Sequence, residues 1–179
     1  MRTDNSGEFC SAEFDRFCKD HGIERHKTTP YTPQQNGVAE RMNRTLMERA
    51  RSMLSGAGLE QKFWAEALAI ACYLINRSPT SALVEKTPME AWSNKKPSLR
   101  HLRVFGCEAY AHVPSVKRSK LENKAVKCIF IGYGVGVKGY KLWDPVAEKV
   151  LYSRSVIFCE LKPSTVLLQE RRKRSIKRE

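Results

Sequence analysis

The chain has 179 residues, an apolar fraction of 41% and a net charge of +13, which is enough to bury one or two cores and too apolar for wholesale disorder. No apolar run approaches the ~20 residues needed to span a bilayer, and Arg2, Asp4 and Glu8 stand where a signal peptide needs an apolar stretch. The expectation is therefore a soluble, intracellular protein, nuclear or cytoplasmic and not secreted.

In chain order, Ala12 to His21 reads as a helix with Phe14, Phe17 and Cys18 on one face, stopped at Gly22. Ile23 to Thr28 alternates like a short strand, and residues 29–33 form a loop stiffened by Pro30 and Pro33. A helix of about five turns opens at Asn36-Gly37, with Val38, Met42, Leu46, Ala50 and Met53 at close to 3.6-residue spacing, and Gly56 and Gly58 break it. A second helix runs from Gln61 to Asn76 behind a stripe of Phe63, Trp64, Ala67, Leu68, Ala71, Leu74 and Ile75, and Pro79 marks its end. Residues 79–100 read as irregular, with a helical turn at Pro88 to Trp92. From Leu102 the period changes to alternation. Residues 104–113, 127–133, 139–143, 149–152 and 155–158 are strand candidates separated by Gly132, Gly134, Gly136, Gly139 and Asp144-Pro145. Five short strands with tight turns predict a small antiparallel barrel or sheet. Those glycines lack the strand-then-helix setting of a dinucleotide fingerprint and read as turns.

The six cysteines, at 10, 18, 72, 107, 128 and 159, contain no CxxC pair and read as free, mostly buried thiols. Cys10, Cys18, His21 and His26 lack the paired spacing of structural zinc sites and are not read as one. The sequon-like Asn43-Arg44-Thr45 and Asn76-Arg77-Ser78 are read as unmodified. Charge is unevenly placed. Residues 1–40 carry five basic and seven acidic groups. The positive excess lies at Arg41, Arg44, Arg49 and Arg51, at Lys117, Arg118, Lys120, Lys124 and Lys127, and at Arg171, Arg172, Lys173, Arg174, Lys177 and Arg178. Three such clusters favour a polyanionic partner, and nucleic acid is the first choice. The run Arg171 to Arg174 reads as a nuclear-localisation signal or a nucleic-acid patch, with a plain charged tail almost as good a reading.

Two carboxylates stand apart from ordinary surface acids. Asp4 lies in Arg-Thr-Asp-Asn-Ser-Gly-Glu-Phe and Glu40 in Thr-Pro-Gln-Gln-Asn-Gly-Val-Ala-Glu-Arg-Met-Asn-Arg-Thr-Leu, with 35 residues between them. Glu40 falls away from the Val38/Met42/Leu46 stripe, on the side of Arg44, Met47 and Arg51. An acid among arginines repels phosphate, and makes sense on a DNA-facing helix if a divalent cation lies between carboxylate and phosphate.

Both stretches resemble the integrase core of copia-type LTR retrotransposons. The resemblance runs on through Phe63-Trp64-Ala65-Glu66-Ala67, Asn76-Arg77-Ser78-Pro79, Phe105-Gly106-Cys107, Lys120-Leu121-Glu122, Gly132-Tyr133, Lys138-Gly139-Tyr140 and Trp143-Asp144-Pro145 to Ser153-Arg154-Ser155-Val156. It implies the C-terminal part of an RNase H-like catalytic core (residues 1–78, a mostly helical remnant), a connecting segment (79–101), a small antiparallel SH3-like β-barrel domain (102–160) and a basic tail (161–179), an α/β then β architecture. It further implies metal-dependent polynucleotidyl transfer with two Mg²⁺ or Mn²⁺ ions. On this mapping Asp4 and Glu40 are catalytic metal ligands and Asn36 and Gly37 shape the entry to the catalytic helix. Arg41, Arg44, Arg51, Lys117, Arg118 and Lys120 bind nucleic acid, the partners being retroelement ends and target DNA.

One departure bears on activity. The family's first catalytic aspartate lies on an opening strand that precedes Asp4, as does its N-terminal zinc module, and Asp15, Asp20 and Asp144 are wrongly placed to replace it. The expectation is a fragment that binds DNA but is inactive alone; the alternative is a domesticated or decayed fragment that only binds nucleic acid. Loss of most of the central sheet would also uncover the Val38 and Phe63 faces, favouring self-association or marginal stability.

Overall fold

The structure, a computed structural model, describes residues 1–3, 7–27, 37–134 and 136–163. Asp4, Thr28, the proline loop at 29–33, Asn36 and the basic tail lie outside the described residues. The chain divides into two compact units, Met1–Thr45 and Leu46–Glu179. Among the described residues no helix is long and apolar enough to cross a membrane.

In the first unit, strand β1 (Arg2–Thr3) pairs in parallel with β2 (His26–Lys27), in the register Arg2↔His26 and Thr3↔Lys27. Helix α1 (Ala12–Asp20) connects them. The Ser11 side chain accepts from the Phe14 amide at its start, Glu13 and Asp15 occupy its first turn and Lys19 its last, as the helix dipole favours. At its end the Ile23 amide closes on the Cys18 carbonyl at 2.8 Å. Cys18 is buried, Phe14 half-buried, and Phe17 stays half exposed, stacked on His21 at 4.2 Å between ring centroids. The strand expected from Ile23 to Thr28 is observed only at two residues. Before it, Arg25 turns inward to bind the Asp15 carboxylate and the Phe9 carbonyl and to cover the Phe14 ring.

Helix α2 (Gly37–Ala57) has 21 residues. Gly56 lies within it, and Gly58 at φ +62° ends it, the Leu59 amide reaching the Leu54 carbonyl at 3.1 Å. Its apolar stripe is covered only toward the C-terminal end. Ala50 and Ala57 are buried and Met53 and Leu54 pack on a core, whereas Val38 is 73% and Met42 45% exposed.

In the second unit a 3₁₀ turn (Gln61–Phe63) leads into α3 (Trp64–Ile75), followed by α4 (Pro88–Ser93). Five antiparallel strands follow: β3 (Cys107–His112), β4 (Ala125–Tyr133), β5 (Tyr140–Asp144), β6 (Lys149–Ser153) and β7 (Val156–Pro163), in the order β6-β5-β4-β3-β7. The connectivity itself requires the sheet to curl. β6 and β7 lie at opposite ends of the ladder, about 19 Å apart if it were flat. Yet only Arg154 and Ser155 join them, a link reaching no more than about 11 Å. The sheet rolls as a small barrel must.

Phe130 anchors one face of β4, edge-on to Tyr140 and Phe158 at 5.9 and 5.7 Å, with Leu142 paired beside it. On the other face Ile129 pairs with Trp143, and Phe63 meets Trp143 edge-on at 5.5 Å. The 3₁₀ turn buries Phe63 and α3 buries Ala67, Ile70 and Ala71, and Lys141 reaches Glu66 at 3.1 Å. This corrects two expectations. The Phe63 face is covered, because the β-rich segment supplies the sheet it packs on, a burial contributing about 2 kcal/mol for Phe63 alone. Trp64, at the first position of α3, is 55% exposed, so the cover of the stripe does not extend to it.

Gly106 sets how closely the strands approach the helices. Its φ is +76°, its amide donates to the Phe130 carbonyl at 2.8 Å, and a Cβ built on it would lie 2.3 Å from the Ala57 Cβ. Gly106→Ala should therefore cost about 2–4 kcal/mol in chemical denaturation, combining left-handed strain with overpacking. Ala57→Gly in the same chain should recover part of that loss.

A polar aromatic group closes the other end of α3. Tyr73 Oη and His101 Nε2 share a hydrogen bond of 2.6 Å, Tyr133 stacks beside Tyr73 at 4.7 Å, and the Arg77 guanidinium lies 3.4 Å from the Tyr73 ring centroid. Burial, helped by Arg77 and then Arg103, holds the His101 pKa below its ordinary value. The unfolded chain thus takes up a proton near pH 6.5 that the native ring resists. Stability from this source is fully present above pH 6.5 and falls as the pH drops below it. Denaturation midpoints followed downward from pH 7.5 should show this slope, and His101→Gln should flatten it.

Candidate functional site

Glu40 occupies the first turn of α2, where the partial positive charge of the helix start favours an acid, and it is exposed. Arg41 and Arg44 follow it, both exposed, and the Thr45 hydroxyl donates to the Arg41 carbonyl at 3.0 Å. Gly37 begins the helix and is half-buried. Although Glu40 and Arg44 have the i, i+4 spacing of a helical ion pair, Glu40 forms no ion pair among the described residues. Gly37, Glu40, Arg41 and Arg44 therefore share two turns of one helix and leave one carboxylate and two guanidinium groups in solvent. Asp4 and Asn36 lie outside the described residues. Arg51 is exposed in the second unit.

The fit of a divalent cation rests on donor chemistry. Glu40 offers the hard oxygen that Mg²⁺ and Mn²⁺ take, in an open position next to cationic groups suited to phosphate. Among the described residues no three His, Cys, Asp or Glu side chains gather closely enough to hold a metal, including the Cys10, Cys18, His21 and His26 set. Two other acids are committed elsewhere. Asp15 binds Arg25, and Asp144 accepts from the Val146 and Ala147 amides at 2.9 and 3.0 Å, closing the β5–β6 turn.

The second basic cluster divides by role. Lys117 belongs to a 3₁₀ turn (Ser115–Lys117), and the Arg118 Nε donates to the Val113 carbonyl at 3.3 Å, bracing the same loop. Lys127 pairs with Glu108 across β3 and β4 at 2.9 Å, and Glu108 also accepts from the Tyr110 hydroxyl at 2.5 Å. Lys120 and Lys124 are exposed. Burial pushes the Cys107 and Cys128 thiols up to about 12, and all six cysteines are free. Three thiols are buried and one half-buried, whereas Cys10 and Cys72 are exposed.

The connecting segment holds a basic group that the three clusters leave out. Lys95, Lys96 and Arg100 are exposed beside Trp92, itself 89% exposed. The signal lay in the run from Ala91 to Val104, which contains no carboxylate.

Residues 107–170 match the family described as retroviral polymerase SH3-like domain. Over 160 residues, 89% of its length, the chain is 56% identical to the retrovirus-related Pol polyprotein from transposon TNT 1-94 of Nicotiana tabacum, of which it spans 12%. It is 34% identical over 158 residues, 88% of the chain, to the Pol polyprotein from transposon RE1 of Arabidopsis thaliana, spanning 11% of it. With the uncharacterized mitochondrial protein AtMg00710 of Arabidopsis thaliana it shares 41% identity over 86 residues, 48% of this chain and 69% of that one.

The two roles of basic residues are separable. Lys120→Ala should leave the thermal midpoint unchanged. Lys127→Ala leaves Glu108 without that cation and should cost up to about 1 kcal/mol, the lysine being partly exposed.

Proposed function

Because the chain belongs to the integrase region of copia-type LTR retrotransposon Pol polyproteins, we propose that it is a fragment of a DNA-integrating enzyme. Its own share of the work is to hold DNA and to supply two of three catalytic carboxylates. The observation that most supports this reading is Glu40, an exposed acid in the first turn of α2 with Arg41 and Arg44 beside it.

In this reading residues 1–78 are the C-terminal part of an RNase H-like core, 79–101 connect it to the SH3-like domain at 102–160, and 161–179 form a basic tail. The partners are retroelement ends and target DNA, met inside the cell in the cytoplasm or nucleus. Asp4 and Glu40 would hold Mg²⁺ or Mn²⁺, which when bound would stabilise charge developing on phosphate oxygens. The chain's own contribution is positioning. Arg41 and Arg44 hold backbone phosphates against the helix and Asn36 and Gly37 shape its entry, while Arg51, Lys117, Arg118 and Lys120 are nucleic-acid contacts of the second unit in their own right. Asp4 and Glu40 require a third carboxylate from outside these 179 residues, so the chain by itself binds DNA without transferring strands. The exposed Val38 and Met42 face favours association with further integrase sequence or with a second copy.

DNA binding by the full chain should weaken with salt at a log–log slope of about −0.9 per phosphate contacted, and Arg41→Gln and Arg44→Gln should each reduce that slope by about 0.9. Strand transfer with Mg²⁺ or Mn²⁺ should be undetectable. Activity abolished by Glu40→Gln would show the 179 residues to be catalytically sufficient, and absence of salt-dependent DNA binding would defeat the proposal altogether.

A further inference from the structure

Resting on the nucleic-acid reading above, we propose that the segment from Trp92 to Arg100 is a contact for single-stranded nucleic acid, with the Trp92 indole stacking on an unpaired base and Lys95, Lys96 and Arg100 holding the flanking phosphates.

The segment is built to present these side chains. The Thr87 hydroxyl caps α4 by accepting from the Glu90 amide at 3.1 Å, with Pro88 in the first turn. The helix ends at Asn94, whose φ of +54° lets its amide return to the Glu90 carbonyl at 2.8 Å. The Ser93 hydroxyl donates to the Met89 carbonyl at 2.7 Å and accepts from the Lys95 amide at 3.4 Å, so the chain carrying Trp92 and Lys95 is held locally. Both ends of the segment are tied to the core. The Met89 amide donates to the Asn76 carbonyl at the end of α3, at 2.8 Å. Arg103 Nη1 donates to the Leu102 and Arg100 carbonyls at 2.7 and 3.1 Å while its guanidinium covers Phe158, and His101 bonds to Tyr73. Arg103 and His101 thus serve the scaffold, and Trp92, Lys95, Lys96 and Arg100 are left in solvent.

Charge selects the occupant. No carboxylate lies between Ala91 and Val104, whereas four cations do, so the segment complements a polyanion better than a mixed protein surface. An exposed indole favours a single strand over a duplex, since an unpaired base offers its face for stacking without the cost of unstacking paired neighbours, and such stacking tolerates any sequence. The pairing of an aromatic platform with a cationic track is the general solution for single strands.

The test compares binding of the full chain to labelled oligo(dT) and to a blunt duplex. Trp92→Ala should weaken oligo(dT) binding at least about five-fold and duplex binding less than about two-fold, while Trp92→Phe keeps most of the single-strand affinity. Lys95→Gln and Lys96→Gln should each lower the single-strand salt slope by about 0.7. The thermal midpoint of every variant should match the parent, because each side chain is exposed. Indifference of oligo(dT) binding to Trp92→Ala, or an equal loss on both probes, overturns the proposal while leaving the DNA-binding reading intact. Failure of the parent chain to bind either probe defeats both. A Trp92 dependence that appears only with a protein ligand would assign the segment to a protein partner instead.

Discussion

The second unit depends on one close approach, between the last turn of α2 and the chain entering β3. Gly106 lies so near Ala57 that no side chain fits between them, and the same residue gives its amide to Phe130 in the centre of the sheet. Two small residues therefore decide how far the helices stand from the strands. With that distance set, Phe63 reaches the edge of Trp143, Ile70 lies over β4, and Glu66 meets Lys141. A larger residue at either position would separate these contacts together, since a packed interior passes displacement on instead of absorbing it.

By resemblance α3 belongs with the catalytic core and the strands with a separate small domain. In the structure α3 shares its core with β4 and β5, and the sheet covers a helical face that would otherwise be apolar and open. The first unit has no comparable cover among the described residues. A pair of two-residue parallel strands offers little apolar surface, and parallel strands are ordinarily buried on both faces. Val38 and Met42 are exposed.

Basic residues illustrate why a charge count is a poor map of a binding surface. Lys127 is spent on Glu108, Arg25 on Asp15 and Phe9, and Arg77 and Arg103 on aromatic rings and backbone. Each holds the fold together through planar or charge-assisted contacts. The cations left for a polyanion are those whose surroundings offer no such partner, and several lie on the connection between α3 and β3 and not in the clusters that sequence density singles out.

The helices, the five strands and the family were legible in the sequence, though not every helix end, since Gly56 lies inside α2 where a break was expected. Helical and alternating periods arise from residue spacing within one element, and a motif such as Thr-Pro-Gln-Gln-Asn-Gly-Val-Ala-Glu needs no tertiary context to be read. The proposed Asp4 and Glu40 assignment rests on motif and interval alone. What only the tertiary structure decided is which faces find partners. Phe63 is buried and Trp64 is not, although both stand in one apolar run, because the strands bring Trp143 against the Phe63 ring and leave Trp64 in water. The curl of the sheet follows from a two-residue link between strands that lie at opposite ends of the ladder. The exposure of Trp92 beside three free cations depends on how α4 is capped and tied down. Pairing and cover are relations between segments distant in sequence, so local pattern predicts the elements while their contacts remain to be settled by the fold.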